Sequence, residues 1–134
     1  MNRSQERSSS VRTFPAEPEA LAEVRSFLRG LADDAGLSER TTADIVLAAS
    51  EACANAVVHS GSSEVEVAWT LHADRVEVEV RDGGQFRRRV RLPGPDGAGG
   101  FGIPLMAALS EELVIQEGTR RRPGTRVRLV VRRS

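Results

Sequence analysis

The alternation of apolar and polar residues divides the chain into a short series of elements. Val11 to Phe14 reads as a strand, ended by Pro15. A helix is predicted to open near Pro18, since proline is tolerated in a first turn. Leu21, Val24, Leu28, Leu31 and Ala35 then recur at helical spacing, and Gly36 supplies a stop. Ser38 is a good N-cap for a second helix, which should run to about His59 with Gly61 ending it. Val65, Val67, Trp69 and Leu71 alternate within Glu64 to His72, and Val76, Val78 and Val80 alternate within Arg75 to Val80. The tight connection between these two runs predicts an antiparallel hairpin. A loop rich in Gly, Pro and Arg follows, from Gly83 to about Gly99. Phe101 to Leu109 suits a third helix, with Pro104 confined to its first turn. Leu113 to Ile115 and Arg126 to Val131 complete the series as two strands turned around Gly118 to Gly124. This order implies an α+β fold, a two-layer sandwich in which helices cover one face of a mixed, mostly antiparallel sheet.

Composition narrows what such a fold can do. A chain of 134 residues is expected to form one domain, over 11–134, behind a polar and disordered tail over 1–10. The formal net charge is zero, which argues against a dedicated nucleic-acid binder, where a basic excess normally supplies the affinity. All 19 basic residues are Arg, so chemistry that needs a P-loop or Schiff-base lysine is excluded. The single Cys53 cannot form an internal disulfide, and no apolar run has the length of a membrane span or a signal peptide. These features lead to the expectation of a cytoplasmic protein that contacts neither membrane nor nucleic acid.

Three separated segments carry candidate chemistry. On the second helix, Glu51, Asn55 and His59 fall at i, i+4 and i+8 and form one polar stripe on an otherwise small, apolar helix. Such a stripe can be a solvated face. It can also be a site: the Asn amide oxygen is a suitable hard ligand for Mg²⁺, and a carboxylate one turn away can orient or deprotonate a hydroxyl. His59, near the helix end, can instead serve the last carbonyls and the dipole. Asp82, followed by Gly83 and Gly84, reads either as a turn or as an acceptor for an exocyclic amine, with the glycines letting a flat base approach the backbone. A carboxylate there would select the amino group of adenine over the carbonyl of guanine. Gly97, Gly99, Gly100 and Gly102 precede the third helix, as either a flexible hinge or a set of free N–H groups for phosphates. Thr125, after Gly124, is a turn exit or a hydroxyl donor to a nucleotide. The arginine runs Arg87 to Arg91 and Arg120 to Arg122 read as solvated loops or as partners for phosphate or an acidic surface.

Taken together these pieces resemble the ATP-binding domain shared by gyrase, MutL and histidine kinases. The resemblance is nearest to the small anti-sigma-factor serine/threonine kinases, and it covers the chain from about Val11 to Val131. The family motif Glu-x-x-x-Asn-Ala-x-x-His is matched by Glu51, Asn55, Ala56 and His59. The glycine segment is similar to the family's phosphate motif, with Ile103 in place of Leu, and Gly124-Thr125 to its final Gly-Thr element. The adenine motif departs from the family's Asp-x-Gly-x-Gly, because Phe86 stands where the last glycine would be. The resemblance implies Asn55 on Mg²⁺, Glu51 as catalytic base or water-positioning group, and Asp82 on the adenine amine. It implies Gly84, Gly99, Gly100, Gly102, His59 and Thr125 around ATP. It further implies a kinase that phosphorylates an anti-anti-sigma protein of the STAS type, sequesters a sigma factor and forms a homodimer. The rival reading is an interaction module that regulates a protein partner without phosphorylating it.

Overall fold

A computed structural model describes residues 8–59, 63–83, 102–118 and 124–133. Strand β1 spans Ser8–Pro15 and leads through a single 3-10 turn, Pro18–Ala20, into α1, Leu21–Asp34. Helix α2 is Glu39–His59, and the hairpin β2 and β3 is Glu64–Leu71 and Arg75–Asp82. Helix α3 is Gly102–Leu109, and β4 and β5 are Glu112–Glu117 and Thr125–Arg132. The five strands form one sheet in the order β1-β2-β3-β5-β4, with every neighbouring pair antiparallel. The expected two-layer α+β sandwich is the fold observed.

Local chemistry sets the helix boundaries. Ser38 caps α2 through its hydroxyl, which accepts from the Thr41 amide at 3.1 Å and satisfies a donor that the helix cannot. At the end of α1, Gly36 adopts φ 73°, and the amides of Gly36 and Leu37 return to the carbonyls of Asp33 and Ala32. That is a Schellman closure, which needs the left-handed residue that glycine supplies without a Cβ penalty.

Period-two patterning decides the faces of the sheet. Val65, Val67 and Trp69 of β2, Val76, Val78 and Val80 of β3, and Val127, Leu129 and Val131 of β5 are buried beneath the helices. Helix α2 lies at the centre of the covering layer, against β2, β3 and β5 below and between α1 and α3. Its buried side is Ile45, Ala48, Ala49, Ala52, Cys53 and Ala56, and such small side chains let a helix settle close to the strands. The opposite face of the sheet is a lattice of ion pairs: Arg81–Glu66 at 3.3 Å, Arg126–Glu79 at 2.9 Å and Arg128–Glu77 at 3.0 Å. A groove of about 250 Å³ on that open face is lined by Glu79, Val114, Gln116, Arg126 and Arg128. Its arginines already have carboxylate partners.

Several boundaries differ from the sequence expectation. Strand β1 begins at Ser8, inside the stretch expected as a tail, because its eight residues pair one for one with β2 from Leu71 to Glu64. Backbone pairing with a remote strand recruits Ser8, Ser9 and Ser10 although their side chains carry no strand signal. The same effect lengthens β4 and β5 beyond Leu113–Ile115 and Arg126–Val131. The α-helical part of the first helix begins at Leu21, after the 3-10 turn that contains Pro18. Among the described residues no helix is long and apolar enough to cross a membrane.

Candidate functional site

The last rung of the β3–β5 ladder pairs Asp82 with Thr125, and Val65 of β2 flanks Asp82 on its other side. Both residues fall on the helix-covered face, since they continue the alternation of Val76, Val78 and Val80 and of Val127, Leu129 and Val131. They are the only polar side chains in those alternating rows, and both are buried, at 9% and 6% exposure. Among the described residues the Thr125 hydroxyl has no hydrogen-bond partner. An unmade bond of that kind costs about 1–3 kcal/mol, and among the described residues the buried hydroxyls of Thr42 and Ser50 on α2 share this state.

The placement of α2 follows from two connections. At one end, Arg133, just beyond β5, donates from its guanidinium to the carbonyls of His72 at 3.0 Å and Ala35 at 3.4 Å. The entry to α2 therefore lies by the C-terminal end of β5. At the other end, the short connection from His59 to Glu64 returns the chain to β2 beside Val65, the partner of Asp82. With 21 residues, α2 is about 31 Å long and spans the length of the strands it covers. Its C-terminal half, which carries Glu51, Asn55 and His59, thus lies toward the Asp82–Thr125 end of the sheet.

Along α2 the three polar residues are spaced four positions apart. Each step of four residues rotates a position by about 40° around the helix axis. The exposed line of the helix runs through Leu47 and Val58, and the buried line through Ile45, Ala49, Ala52 and Ala56. Glu51 and Asn55 fall between the two and are partly buried. Successive positions of the stripe thus step from the exposed line of the helix toward its buried line. His59 is the final residue of α2, and Gly102 is the first residue of α3, the helix packed beside α2. Gly84, Gly99, Gly100, Phe86 and the arginine runs Arg87 to Arg91 and Arg120 to Arg122 lie outside the described residues. Cys53, facing the core from the same helix, has its thiol pushed up to about 12 by burial and stays protonated at neutral pH.

Two features escaped the sequence reading. The register that sets Asp82 beside Thr125 joins segments more than forty positions apart, and period-two patterning fixes only the face of each. Gly124 was legible as a turn residue, yet its φ of 140° and its contact with the Asp82 backbone belong to the folded state alone.

These elements, an antiparallel sheet under a central helix that carries a polar stripe, make up one layered α+β unit. Residues 14–131 match the family model described as the histidine kinase-like ATPase domain, and the chain belongs to that family. Within it, the chain is similar to proteins named serine-protein kinase RsbW. It is 35% identical to the one from Bacillus velezensis over 122 residues, 79% of this chain and 76% of the relative. It is 33% identical to the one from Bacillus subtilis over 118 residues, 76% of this chain and 74% of the relative. Among solved structures it resembles the RsbU and RsbW domains of Rv1364c from Mycobacterium tuberculosis, with a TM-score of 0.74 and 28% identity. That match covers 93% of this chain and 32% of the other, so this chain spans about a third of the solved chain it matches.

Proposed function

We propose that the chain binds ATP with Mg²⁺ and transfers its terminal phosphoryl group to a serine or threonine of a protein partner. The observation that carries this reading is the buried Thr125 hydroxyl, without a partner among the described residues, in register with the buried Asp82 at the end of the sheet that α2 covers. Asp82 accepts from the exocyclic amine of adenine, and Thr125 donates to the nucleotide. Asn55 would supply a neutral amide oxygen to Mg²⁺. His59, Gly84, Gly99, Gly100 and Gly102 surround the phosphates, where backbone N–H groups at the start of α3 favour negative charge. Mg²⁺, when bound, neutralises charge that develops on the transferring group. Glu51 takes the proton from the acceptor hydroxyl as its oxygen bonds the terminal phosphorus and the bond to ADP breaks. Most of the rate enhancement then comes from positioning and electrostatics, which suits a small domain with few reactive side chains.

By its resemblance to anti-sigma-factor kinases, the phosphoacceptor is an anti-anti-sigma protein of the STAS type and a second partner is a sigma factor held inactive, with the protein acting as a homodimer in the cytoplasm. The name shared by the relatives, serine-protein kinase, supports the reaction.

Two variants test the reading by calorimetry and a phosphotransfer assay. Asn55→Ala should abolish Mg²⁺-dependent ATP binding with little change in thermal midpoint; an unfolded variant would make Asn55 structural. Glu51→Ala should retain ATP binding and lose phosphotransfer. If partner regulation survives Glu51→Ala at full strength and no phosphoprotein forms with the wild type, the protein is an interaction module and the kinase reading fails.

A further inference from the structure

We infer that Gly124 is a positioning residue of this site: its lack of a side chain lets the start of β5 lie against the Asp82 backbone, which holds the Asp82 carboxylate and the Thr125 hydroxyl side by side. The inference rests on the nucleotide reading above and extends it to a residue that would not touch the ligand through a side chain.

Three observations on the chain itself support it. Gly124 has φ 140°, a conformation that L-residues rarely adopt. A Cβ at this position would stand 2.8 Å from the Asp82 carbonyl oxygen and 3.8 Å from the Gly83 Cα. The obstacle is backbone, so it cannot swing aside as a side chain would. On the other side, the Gly124 carbonyl accepts from the Gly118 amide at 2.5 Å, which closes the β4–β5 connection and removes room for retreat. An added methyl group must therefore displace the Asp82–Gly83 peptide or the start of β5. Either shift falls on the terminal rung of the ladder, where Asp82 and Thr125 meet.

Gly36 provides a control within the same molecule. It too has a positive φ, at 73°, but a Cβ there would meet nothing within 4 Å, and it lies at the end of α1. Gly36→Ala introduces backbone strain without touching Asp82. Comparison of the two variants separates strain from positioning.

The test is ATP and GTP affinity by calorimetry, with thermal midpoints in the absence of nucleotide, for wild type, Gly36→Ala, Gly124→Ala, Asp82→Asn and the double variant Gly124→Ala with Asp82→Asn. Gly36→Ala should lower the midpoint and leave ATP affinity unchanged. Gly124→Ala should weaken ATP on the order of tenfold or more and shrink the preference for ATP over GTP. In the double variant the loss should be smaller than the product of the two single losses, since both changes act on one group. Unchanged ATP affinity in Gly124→Ala, or independent losses, would overturn the inference. A wild type that binds no ATP would instead defeat the nucleotide reading itself. If Gly124→Ala does not fold, the wild-type protein carries the test. The Gly83 and Gly124 amide resonances should move with adenosine and stay in place with tripolyphosphate, and no movement with adenosine would sink the idea.

Discussion

The two ends of the β3–β5 ladder differ in how their polar groups are held. At the Arg75–Arg132 end the chain closes on itself. The His72 amide donates to the Arg75 carbonyl at 2.8 Å, the Arg133 amide to the Asp74 carbonyl at 3.0 Å, and the Arg133 guanidinium to His72 and Ala35. Glu77 Oε2 accepts from Arg128 at 3.0 Å and lies 3.5 Å from Arg75, with the His72 imidazole 3.3 Å away. At the Asp82–Thr125 end, two polar groups are buried side by side, one hydroxyl has no partner among the described residues and a glycine holds a conformation other residues avoid. The first arrangement fastens three elements together. The second sets two buried polar side chains beside a backbone conformation that only glycine adopts freely.

If this contrast is functional, substitutions at the two ends should move different observables. The largest effect is expected from Asp82→Asn, which replaces one acceptor oxygen of a carboxylate with an amide donor. ATP affinity should fall by about 10- to 100-fold, the scale of a lost charge-assisted hydrogen bond, and GTP should lose less. Equal loss of both nucleotides in calorimetry would remove Asp82 from base recognition and dissolve the contrast.

A smaller and opposite result is expected at the other end. Arg133→Ala removes two hydrogen bonds that join the β2–β3 turn to the α1–α2 corner. Urea unfolding should show a loss of about 1–2 kcal/mol, with ATP affinity unchanged. A drop in affinity matching the drop in stability would mean that the two ends are coupled through α2.

The smallest effect concerns pH. Burial raises the Glu77 carboxyl, but the hydrogen bond and charge of Arg128, with His72 nearby, more than offset it, so it titrates below its ordinary range. A carboxyl with a depressed folded value stabilises the fold above its unfolded value and loses that contribution as pH falls through the folded one. Glu77→Gln should therefore be less stable than wild type at pH 7, and the gap should close as unfolding is measured at progressively lower pH below about 4. A gap that stays constant with pH would leave Glu77 a packing residue only.

Much of the frame was legible because it depends on neighbours in sequence. Helical spacing in Leu21, Val24 and Leu28, the Ser38 cap and the Gly36 stop are local effects, and all three operate in the fold. Alternation in β2 and β3 assigned their buried faces for the same reason. The candidate residues were legible by type: an Asn and a Glu one turn apart, an Asp before glycines, and a Thr that opens a strand. Their chemistry is carried by the side chains themselves.

What those residues amount to together was decided only by tertiary structure. Ser8–Ser10 join the sheet because β2 offers backbone partners, whatever their side chains prefer. Asp82 meets Thr125 because two strands far apart in sequence pair in one register, and a period of two specifies a face but not a partner. The inward turn of Glu51 and Asn55 depends on which side of α2 the sheet occupies. Gly124 gains its role from a carbonyl 42 positions earlier in the chain, at a distance no local pattern encodes. The sequence by itself determined the elements and the polar groups they carry; long-range packing and register determined which of those groups lie together.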